Sequence, residues 1–272
     1  MKMCRSLYLF TLFNCFALCT AGQVVTQGKS NKLIVIAHRG DHTQAPENTL
    51  KAFSDAIATG VDYVEVDVRS TRDGELVIMH DATVDRMTSG RGKVSELTWA
   101  ELQQLTVVNK DHPEFGQHKI PSFAEVLERC KGKIGIYLDF KDGDIAKAWQ
   151  LIRDYDISKT IVVYLNAEEH LSGWKTHAPV LPLMASLPDS VKNAETYIKF
   201  HNLVDVQIVD GGHEDYTTAL VRAINKNGQS VWVDVQEPGE NEALWTRVLA
   251  LGVQGMQTDH PRELIRWRAA LK

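Results

Sequence analysis

The sequence predicts an α/β fold, a somewhat irregular (β/α)8 barrel of the TIM type with an insertion after the third strand. Apolar runs rich in β-branched residues alternate with segments of helical periodicity along most of the 272 residues. This alternation is typical of a parallel sheet covered by helices. The composition, 44% hydrophobic and 24% charged, is that of a globular protein. An open doubly wound sheet is the alternative, but no Gly-x-Gly-x-x-Gly motif follows the first strand.

Nine runs carry the strand pattern, although a barrel of this type needs eight strands. They are residues 33–37, 61–68, 75–79, 134–140, 160–165, 180–185, 204–209, 230–235 and 255–258. The link between the second and third runs is too short for a helical crossover. Those two runs therefore form either a hairpin or an irregular part of the barrel, and one strand is expected to be peripheral.

Helical patterns separate the strands, with apolar residues at helical spacing. They cover residues 49–59, 122–130, 145–155, 191–200, 216–227 and 240–251. Residues 83–120 break the alternation and contain one helical pattern at 98–105. We interpret 83–120 as an insertion after the third strand, where long loops commonly select the substrate.

The N-terminal residues have the layout of a secretory signal peptide. A short basic start precedes an apolar run at 7–18, and small residues follow up to Ala21. The apolar run is too short to span a bilayer. We therefore predict a signal peptide at 1–21, a linker at 22–32 and one domain at 33–272, in an exported protein that is periplasmic or secreted.

Cysteine usage and charge exclude several classes of protein. Cys130 is the only cysteine of the predicted domain, so we expect neither an intramolecular disulfide nor a cysteine zinc site. Cys15 and Cys19 raise the alternative of a lipoprotein, but neither follows a Leu-small-small run. The net charge of -5 argues against a nucleic-acid partner, which usually requires a basic surface. An anionic small-molecule substrate remains compatible, because a site can be locally positive.

Three acidic residues are predicted to bind a divalent cation. Glu65 and Asp67 project from the same side of the second strand, because side chains alternate along a strand. Asp139 lies on a later strand and is the natural third carboxylate. Acids that meet inside a barrel repel one another unless a cation with a preference for oxygen ligands lies between them. The alternative is a salt bridge to Lys141 or Arg39.

Two histidines end strands at the same rim of the predicted barrel. His38 follows the first strand and His80 follows the third, and imidazole exchanges protons near neutral pH. Beside a metal, the pair suggests a general acid and a general base on opposite sides of a bond. Arg39 offers a planar fork of donors that matches a phosphate group. Gly40 has no side chain, so it would let the backbone approach a neighbouring group closely.

These residues stand in motifs that resemble the signature of the glycerophosphodiester phosphodiesterase family. The motifs are His38-Arg39-Gly40, Pro46-Glu47-Asn48-Thr49, Glu65-Val66-Asp67, His80-Asp81, Asp85-Arg86, Gly90-Arg91-Gly92, Thr98-x-x-Glu101-Leu102, Ile120-Pro121-Ser122-Phe123-x-Glu125-Val126-Leu127 and Thr258-Asp259-His260-Pro261. They run through nearly the whole predicted domain, and the ordered spacing of the first block is a specific signal.

The resemblance implies a metal-dependent (β/α)8 phosphodiesterase that acts on a small glycerophosphodiester with Mg2+ or Ca2+. The residues that it assigns are Glu65, Asp67 and Asp139 for the metal, His38 and His80 for acid–base catalysis, and Arg39 and Lys141 for the phosphate.

The chain departs from the family pattern at two places. Asp139-Phe140-Lys141 stands where the family usually has Glu-x-Lys, so the shorter side chain binds the ion through water or the ion shifts. Trp232-Val233-Asp234-Val235 stands in place of Trp-Thr-Val-Asn. We expect Trp232 to form an apolar wall for the substrate, while the two valines lose polar contacts. This second change bears on substrate identity more than on reaction type.

Three functions are compatible with these residues. The first is hydrolysis of a glycerophosphodiester to glycerol phosphate and an alcohol, with water or the neighbouring glycerol hydroxyl as the nucleophile. The second is a phosphodiester lyase that forms a cyclic phosphate from a phospholipid or sphingolipid head group. A non-catalytic phosphodiester-binding protein is less favoured, because the main catalytic positions hold competent residues. The sequence leaves open the alcohol, the role of each histidine and the oligomeric state.

Overall fold

A computed structural model describes residues 32–271 and confirms the predicted barrel. Eight parallel strands close into a ring, because the first strand pairs with both the second and the last. In chain order the strands are β1 (Ile34–Ala37), β2 (Tyr63–Ser70), β3 (Leu76–Ile78), β4 (Gly135–Phe140), β5 (Ile161–Leu165), β6 (Leu183–Ser186), β7 (Ile208–Asp210), β8 (Ser230–Asp234) and β9 (Gly255–Thr258). The predicted signal peptide lies outside the described residues, and so does the linker apart from Lys32.

The third strand is the peripheral one. Among the strands of residues 32–271, β3 pairs with β2 alone and runs antiparallel to it, with Val68 opposite Ile78 and Ser70 opposite Leu76. The short link between β2 and β3 is a turn that contains Gly74, whose φ is 77°. Of the two arrangements that the sequence allows, the hairpin is therefore the correct one.

Helices cover the outside of the ring, except the one at Trp99–Gln104, which belongs to the insertion. They are α1 (Leu50–Thr59), α2 (Trp99–Gln104), α3 (Phe123–Cys130), α4 (Ile145–Asp154), α5 (Glu168–His177), α6 (Ala194–Leu203), α7 (Thr218–Lys226), α8 (Glu242–Leu249) and α9 (Pro261–Ala270). Capping side chains define several of their starts. Thr49 caps α1 and Ser122 caps α3, where Glu125 completes a capping box. In residues 32–271, no helix combines the length and apolar character needed to cross a membrane.

Two helices were not predicted, and one was misplaced. α5 buries only Trp174, so its apolar periodicity is weak, and α9 begins at Pro261 after a short strand. α6 starts at Ala194 because Asn193 forms a capping box with Thr196. This helix ends at Leu203, and β7 therefore begins at Ile208, further along the chain than predicted.

The core lies in two layers separated by the sheet. The larger layer fills the space between the strands and the outer helices, and it includes Val64, Val66 and Val68. A smaller cluster fills the barrel interior with one side chain from most strands, including Ile36, Tyr137, Val162, Met184, Ile208 and Trp232. Because residues alternate along β2, Glu65 and Asp67 face the interior.

The predicted insertion at 83–120 forms a cap with its own small core. This core joins Val77 of β3 and the following Met79 to side chains of the insertion, among them Met87, Leu102 and Val107. The cap stands at the carboxyl end of β3, beside the rim where active sites of this fold are built.

Candidate active site

Three carboxylates meet at the carboxyl ends of β2 and β4. Oxygen atoms of Glu65, Asp67 and Asp139 lie within 4.8 Å of one another. Glu65 and Asp67 are only 2% and 1% exposed. The parallel register places Asp67 directly opposite Asp139. The structure therefore brings together the three residues that the sequence predicts as metal ligands.

Burial and mutual repulsion make these carboxylates hard to ionise without a cation. Burial, followed by the charges of Asp67 and Asp139, raises the pKa of Glu65 well above its ordinary value. Burial and the charge of Asp67 likewise raise the pKa of Asp139. Asp67 Oδ1 is buried and, apart from an ion-pair contact with Lys141, accepts no hydrogen bond from any described residue. A set of hard, incompletely partnered oxygen atoms fits a divalent cation of the Mg2+ or Ca2+ type.

Lys141 and Arg39 place positive charge against the same carboxylates. Lys141 Nζ lies 2.5 Å from Asp139 Oδ2 and 3.1 Å from Asp67 Oδ1. Arg39 Nε lies 3.6 Å from Asp67 Oδ2. Among the described residues, Glu65 accepts a hydrogen bond only from the backbone N–H of Arg39, at 2.8 Å. Salt bridges were the alternative to metal binding. They form with the two aspartates, but no cationic side chain among the described residues pairs with Glu65.

Two side-chain amides orient the aspartates. Asn48 Nδ2 donates to Asp67 Oδ2 at 2.6 Å, and Asn166 Nδ2 donates to Asp139 Oδ1. Asn48 belongs to a motif that the sequence singles out, and its φ of 56° is left-handed. Asn166 follows β5 and stands in no recognisable motif, so sequence reasoning does not select it.

His38 is held by a carboxylate that follows the last strand. His38 Nδ1 lies 2.7 Å from Asp259 Oδ1, and His42 Nε2 lies 3.0 Å from the same oxygen. Burial raises the pKa of Asp259, but hydrogen bonds from the two imidazoles outweigh this effect and hold that pKa below its ordinary value. With Nδ1 engaged, Nε2 is the ring nitrogen of His38 that is left for a substrate.

His80 has a carboxylate partner of its own. His80 Nδ1 lies 2.7 Å from Asp81 Oδ1, and Arg86 donates to both oxygens of Asp81 at 2.7 and 3.0 Å. The hydrogen bonds from Arg86 are the largest cause that lowers the pKa of Asp81. Arg69 donates from Nε and Nη2 to the His80 carbonyl at 3.0 and 2.8 Å. These contacts hold both the ring and the backbone of His80.

The turn after β1 is tightly packed against α1. Arg39 has a φ of 52° and Gly40 a φ of 86°, a conformation that favours glycine. A Cβ atom at Gly40 would lie 2.8 Å from the backbone carbon of Ala52. The close backbone approach predicted at Gly40 is therefore present, and the neighbour is α1.

Trp232 lies inside the barrel, and its role as a substrate wall stays a prediction. The side chain is 1% exposed, its ring lies 5.0 Å from that of Tyr63, and its Nε1 donates to Ser230 Oγ at 3.0 Å. Trp232 and Asp234 share the interior face of β8, and Asp234 is nearer the carboxyl end. The tryptophan therefore fills the layer below the mouth.

Comparison with known proteins identifies relatives along most of the chain. The Glycerophosphoryl diester phosphodiesterase family model matches residues 38–263. A glycerophosphodiester phosphodiesterase of Caldanaerobacter subterraneus is 31% identical over 258 residues, which covers 86% of this chain and 97% of the relative.

Solved structures have the same fold. The glycerophosphodiester phosphodiesterase of Agrobacterium tumefaciens matches with a TM-score of 0.77 and 27% identity, over 86% of this chain and 99% of the other. A phosphodiesterase of Oleispira antarctica, solved with the product sn-glycerol-3-phosphate, has a TM-score of 0.77 and 24% identity over 88% of this chain and 98% of its own. The family match begins at His38 and ends within α9. The chain belongs to the glycerophosphoryl diester phosphodiesterase family.

Proposed function

We propose that the protein hydrolyses glycerophosphodiesters to glycerol phosphate and an alcohol, using a divalent cation and two histidines. The observation that carries the proposal is the convergence of Glu65, Asp67 and Asp139 beside two cationic side chains. The family match and a relative named as a glycerophosphodiester phosphodiesterase support the reaction. Export of the protein is a further proposal, which depends on the signal-peptide pattern at 1–21.

The three carboxylates would hold the cation, and Arg39 and Lys141 would bind the phosphate. A bound Mg2+ or Ca2+ supplies Lewis-acid stabilisation of the charge that builds on phosphate oxygens. Arg39 and Lys141 already lie against Asp67, so they can add positive charge on the same side of the phosphate. A phosphodiester anion would then bind where the metal ion and the two cationic side chains balance the charge of the three buried carboxylates.

His38 and His80 would exchange protons with the substrate. Each imidazole has its Nδ1 engaged by a carboxylate, Asp259 or Asp81, which orients the ring. Each Nε2 is left to act on the substrate. In our proposal one histidine takes a proton from the nucleophile, and the other gives a proton to the oxygen of the leaving alcohol.

A product analysis with purified protein tests this proposal. Glycerophosphocholine, glycerophosphoethanolamine and glycerophosphoinositol are each incubated with Mg2+, with Ca2+ and with a chelator, and the phosphorus products are identified by 31P NMR. We expect glycerol phosphate in the presence of a metal and intact diester with the chelator. A cyclic phosphate that persists would instead favour the lyase, and metal-dependent binding without cleavage would favour the non-catalytic alternative.

A further inference from the structure

Two imidazoles and one carboxylate meet at the rim of the barrel, apart from the three-carboxylate cluster. One nitrogen or oxygen atom from each of His38, His42 and Asp259 lies within 4.8 Å of the other two. His38 Nδ1 and His42 Nε2 lie 2.7 and 3.0 Å from Asp259 Oδ1. His42 stands in none of the motifs that carry the family resemblance, so the third member of this group is a feature of this chain.

The donor set of these three residues suits a transition-metal ion. Two imidazole nitrogen atoms and one carboxylate oxygen commonly bind Zn2+, with water in the remaining position. Ligand atoms around a tetrahedral Zn2+ are about 3.3 Å apart, so the two contacts would have to lengthen by only a few tenths of an ångström. Mg2+ and Ca2+ prefer oxygen ligands and would remain at the three carboxylates.

The loop that carries His42 is held in place through its neighbour Asp41. Asp41 is fully buried, and its carboxylate accepts hydrogen bonds from Thr59 Oγ1 at 3.0 Å and from Arg262 Nε at 2.6 Å. Arg262 belongs to α9, which begins directly after the segment that carries Asp259. The two segments are therefore tied together before an ion binds, and such preorganisation lowers the free-energy cost of binding.

The charges around His42 favour a cation. Burial lowers the pKa of His42, but the hydrogen bond and charge of Asp259, together with the charge of Glu47, outweigh burial and raise it. The charge of Arg39 acts in the opposite direction, although Arg39 is itself paired with Glu47 and Asp67, at 3.0 and 3.6 Å. The negative potential that stabilises a proton on the ring also attracts a metal ion.

The three side chains are half-buried and can be reached from the solvent. All three are partly exposed, and His42 and Asp259 line an open groove of about 680 Å³. A hydrated ion can therefore reach the two imidazoles and the carboxylate while the rim stays folded, and water can complete its coordination.

We propose that His38, His42 and Asp259 form a second metal site, which binds Zn2+ or a chemically similar ion and thereby stops hydrolysis. The inhibitory part of the inference rests on the proposed function, in which His38 exchanges a proton through Nε2. A neutral imidazole that binds a metal through Nδ1 carries its one hydrogen atom on Nε2. That nitrogen cannot accept a proton, and it is a far weaker acid than an imidazolium.

The protons balance when the ion binds. A neutral ring moves its hydrogen atom to the nitrogen that faces away from the metal, and a charged His42 also releases one proton to the solvent. No bond other than these N–H bonds breaks, and the carboxylate of Asp259 exchanges two hydrogen bonds for one metal–oxygen bond.

Calorimetric titration with Zn2+ tests the site without turnover. The protein is first saturated with Mg2+, so that the three carboxylates are occupied. We expect the wild type to bind Zn2+, and the affinity to fall at least about tenfold in His42→Gln and in Asp259→Asn. Glutamine can still donate to Asp259 but lacks the imidazole nitrogen. A Mg2+ affinity close to that of the wild type shows that each variant is folded, and an unchanged Zn2+ affinity in both would overturn the inference.

His213→Ala is the matched control. His213 forms another group of described residues that could hold an ion, with Glu214 and Glu237, and it lies in the loop after β7. We expect the Zn2+ affinity of this variant to equal that of the wild type. A loss of affinity in His213→Ala, with normal affinity in His42→Gln, would place the ion at His213 and contradict the assigned ligands.

Inhibition is measured at saturating Mg2+, relative to the rate of each variant without Zn2+. The IC50 for Zn2+ should rise at least about tenfold in His42→Gln and stay constant in the wild type when Mg2+ is raised further. Relief by extra Mg2+ would place the inhibitory ion at the three carboxylates and refute the inhibitory role. If the wild type cleaves no diester, the proposed function fails, and the Zn2+ titration still decides whether the site exists.

Discussion

His38 and Asp259 are 221 residues apart in the chain, and their side chains lie 2.7 Å apart. Closure of the barrel explains the contact, because β1 pairs directly with β9 and Ala37 lies opposite Thr258. The residues that follow these two strands therefore emerge side by side at the rim. The contact links the first and last motifs of the sequence into one site.

Asp259→Asn tests the role of this contact. The substitution removes the charged oxygen that orients the His38 imidazole, while the shape of the side chain is kept. We expect kcat for a glycerophosphodiester to fall roughly a hundredfold, at the lower end of what acid–base catalysis contributes, with metal affinity preserved. The exposed Asp205→Asn is the matched control, and a normal kcat in Asp259→Asn would contradict a catalytic role for the pair.

Arg69→Met tests whether the backbone of His80 must be held. The guanidinium makes two hydrogen bonds to the His80 carbonyl and one to Asp142. Their loss should let the histidine move, so we expect kcat to fall about tenfold, because misplacement of a catalytic group by about 1 Å costs up to a hundredfold. Arg72→Met, at an exposed arginine of the same hairpin, should be close to normal. A change confined to KM would argue against a positioning role.

Removal of a single carboxylate should weaken metal binding. Asp67→Asn and Asp139→Asn each take one charged oxygen ligand from the cluster, and we expect the affinity for Mg2+ or Ca2+ to fall at least about tenfold. Calorimetry on chelator-treated protein measures the affinity directly. Asp210→Asn is the matched control, since Asp210 is also buried in the barrel, at 4% exposure, but lies outside this cluster. Equal affinities in all three variants would contradict the assignment of the ligands.

Asp41 should make stability depend on pH in the acid range. Burial raises the pKa of Asp41, but hydrogen bonds from Thr43, Arg262 and Thr59 outweigh burial and lower it. A lowered folded-state pKa means that the stabilisation is complete above the unfolded value of about 3.9. It is then lost as the pH falls through the folded pKa.

Asp41→Asn should therefore lower the free energy of unfolding by about 1–3 kcal/mol at pH 7. The difference from the wild type should shrink as the pH falls below about 4. Urea unfolding at pH 7, 5 and 3 measures it. A difference that is constant over this range would show that the charge of Asp41 contributes nothing to stability.

The regular part of the barrel could be predicted because each strand is a local signal. Alternation along β2 correctly placed Glu65 and Asp67 on one face, and the short link to β3 correctly limited the arrangement to a hairpin or an irregularity. α5 escaped prediction because it buries little apolar surface. The predicted start of β7 was wrong because α6 begins after its cap at Asn193 and therefore ends later in the chain than predicted.

The surroundings of the site could be predicted only in part, because they depend on register between distant strands. Alternation along β8 does not give the depth at which the side chain of Trp232 lies inside the barrel. Asn166 becomes a partner of Asp139 only through the pairing of β4 with β5. Arg69 reaches the His80 carbonyl only because β2 and β3 form a hairpin. No local pattern in the sequence carries these contacts.

Turnover by His38→Ala and His80→Ala, measured with the metal affinity of the same preparations, tests the central claim most directly. Both histidines lie outside the three-carboxylate cluster, so we expect metal affinity to stay close to that of the wild type. We expect each substitution to lower kcat for a glycerophosphodiester by at least about a hundredfold. Near-normal turnover in both variants, with the metal bound, would contradict the proposed acid–base pair.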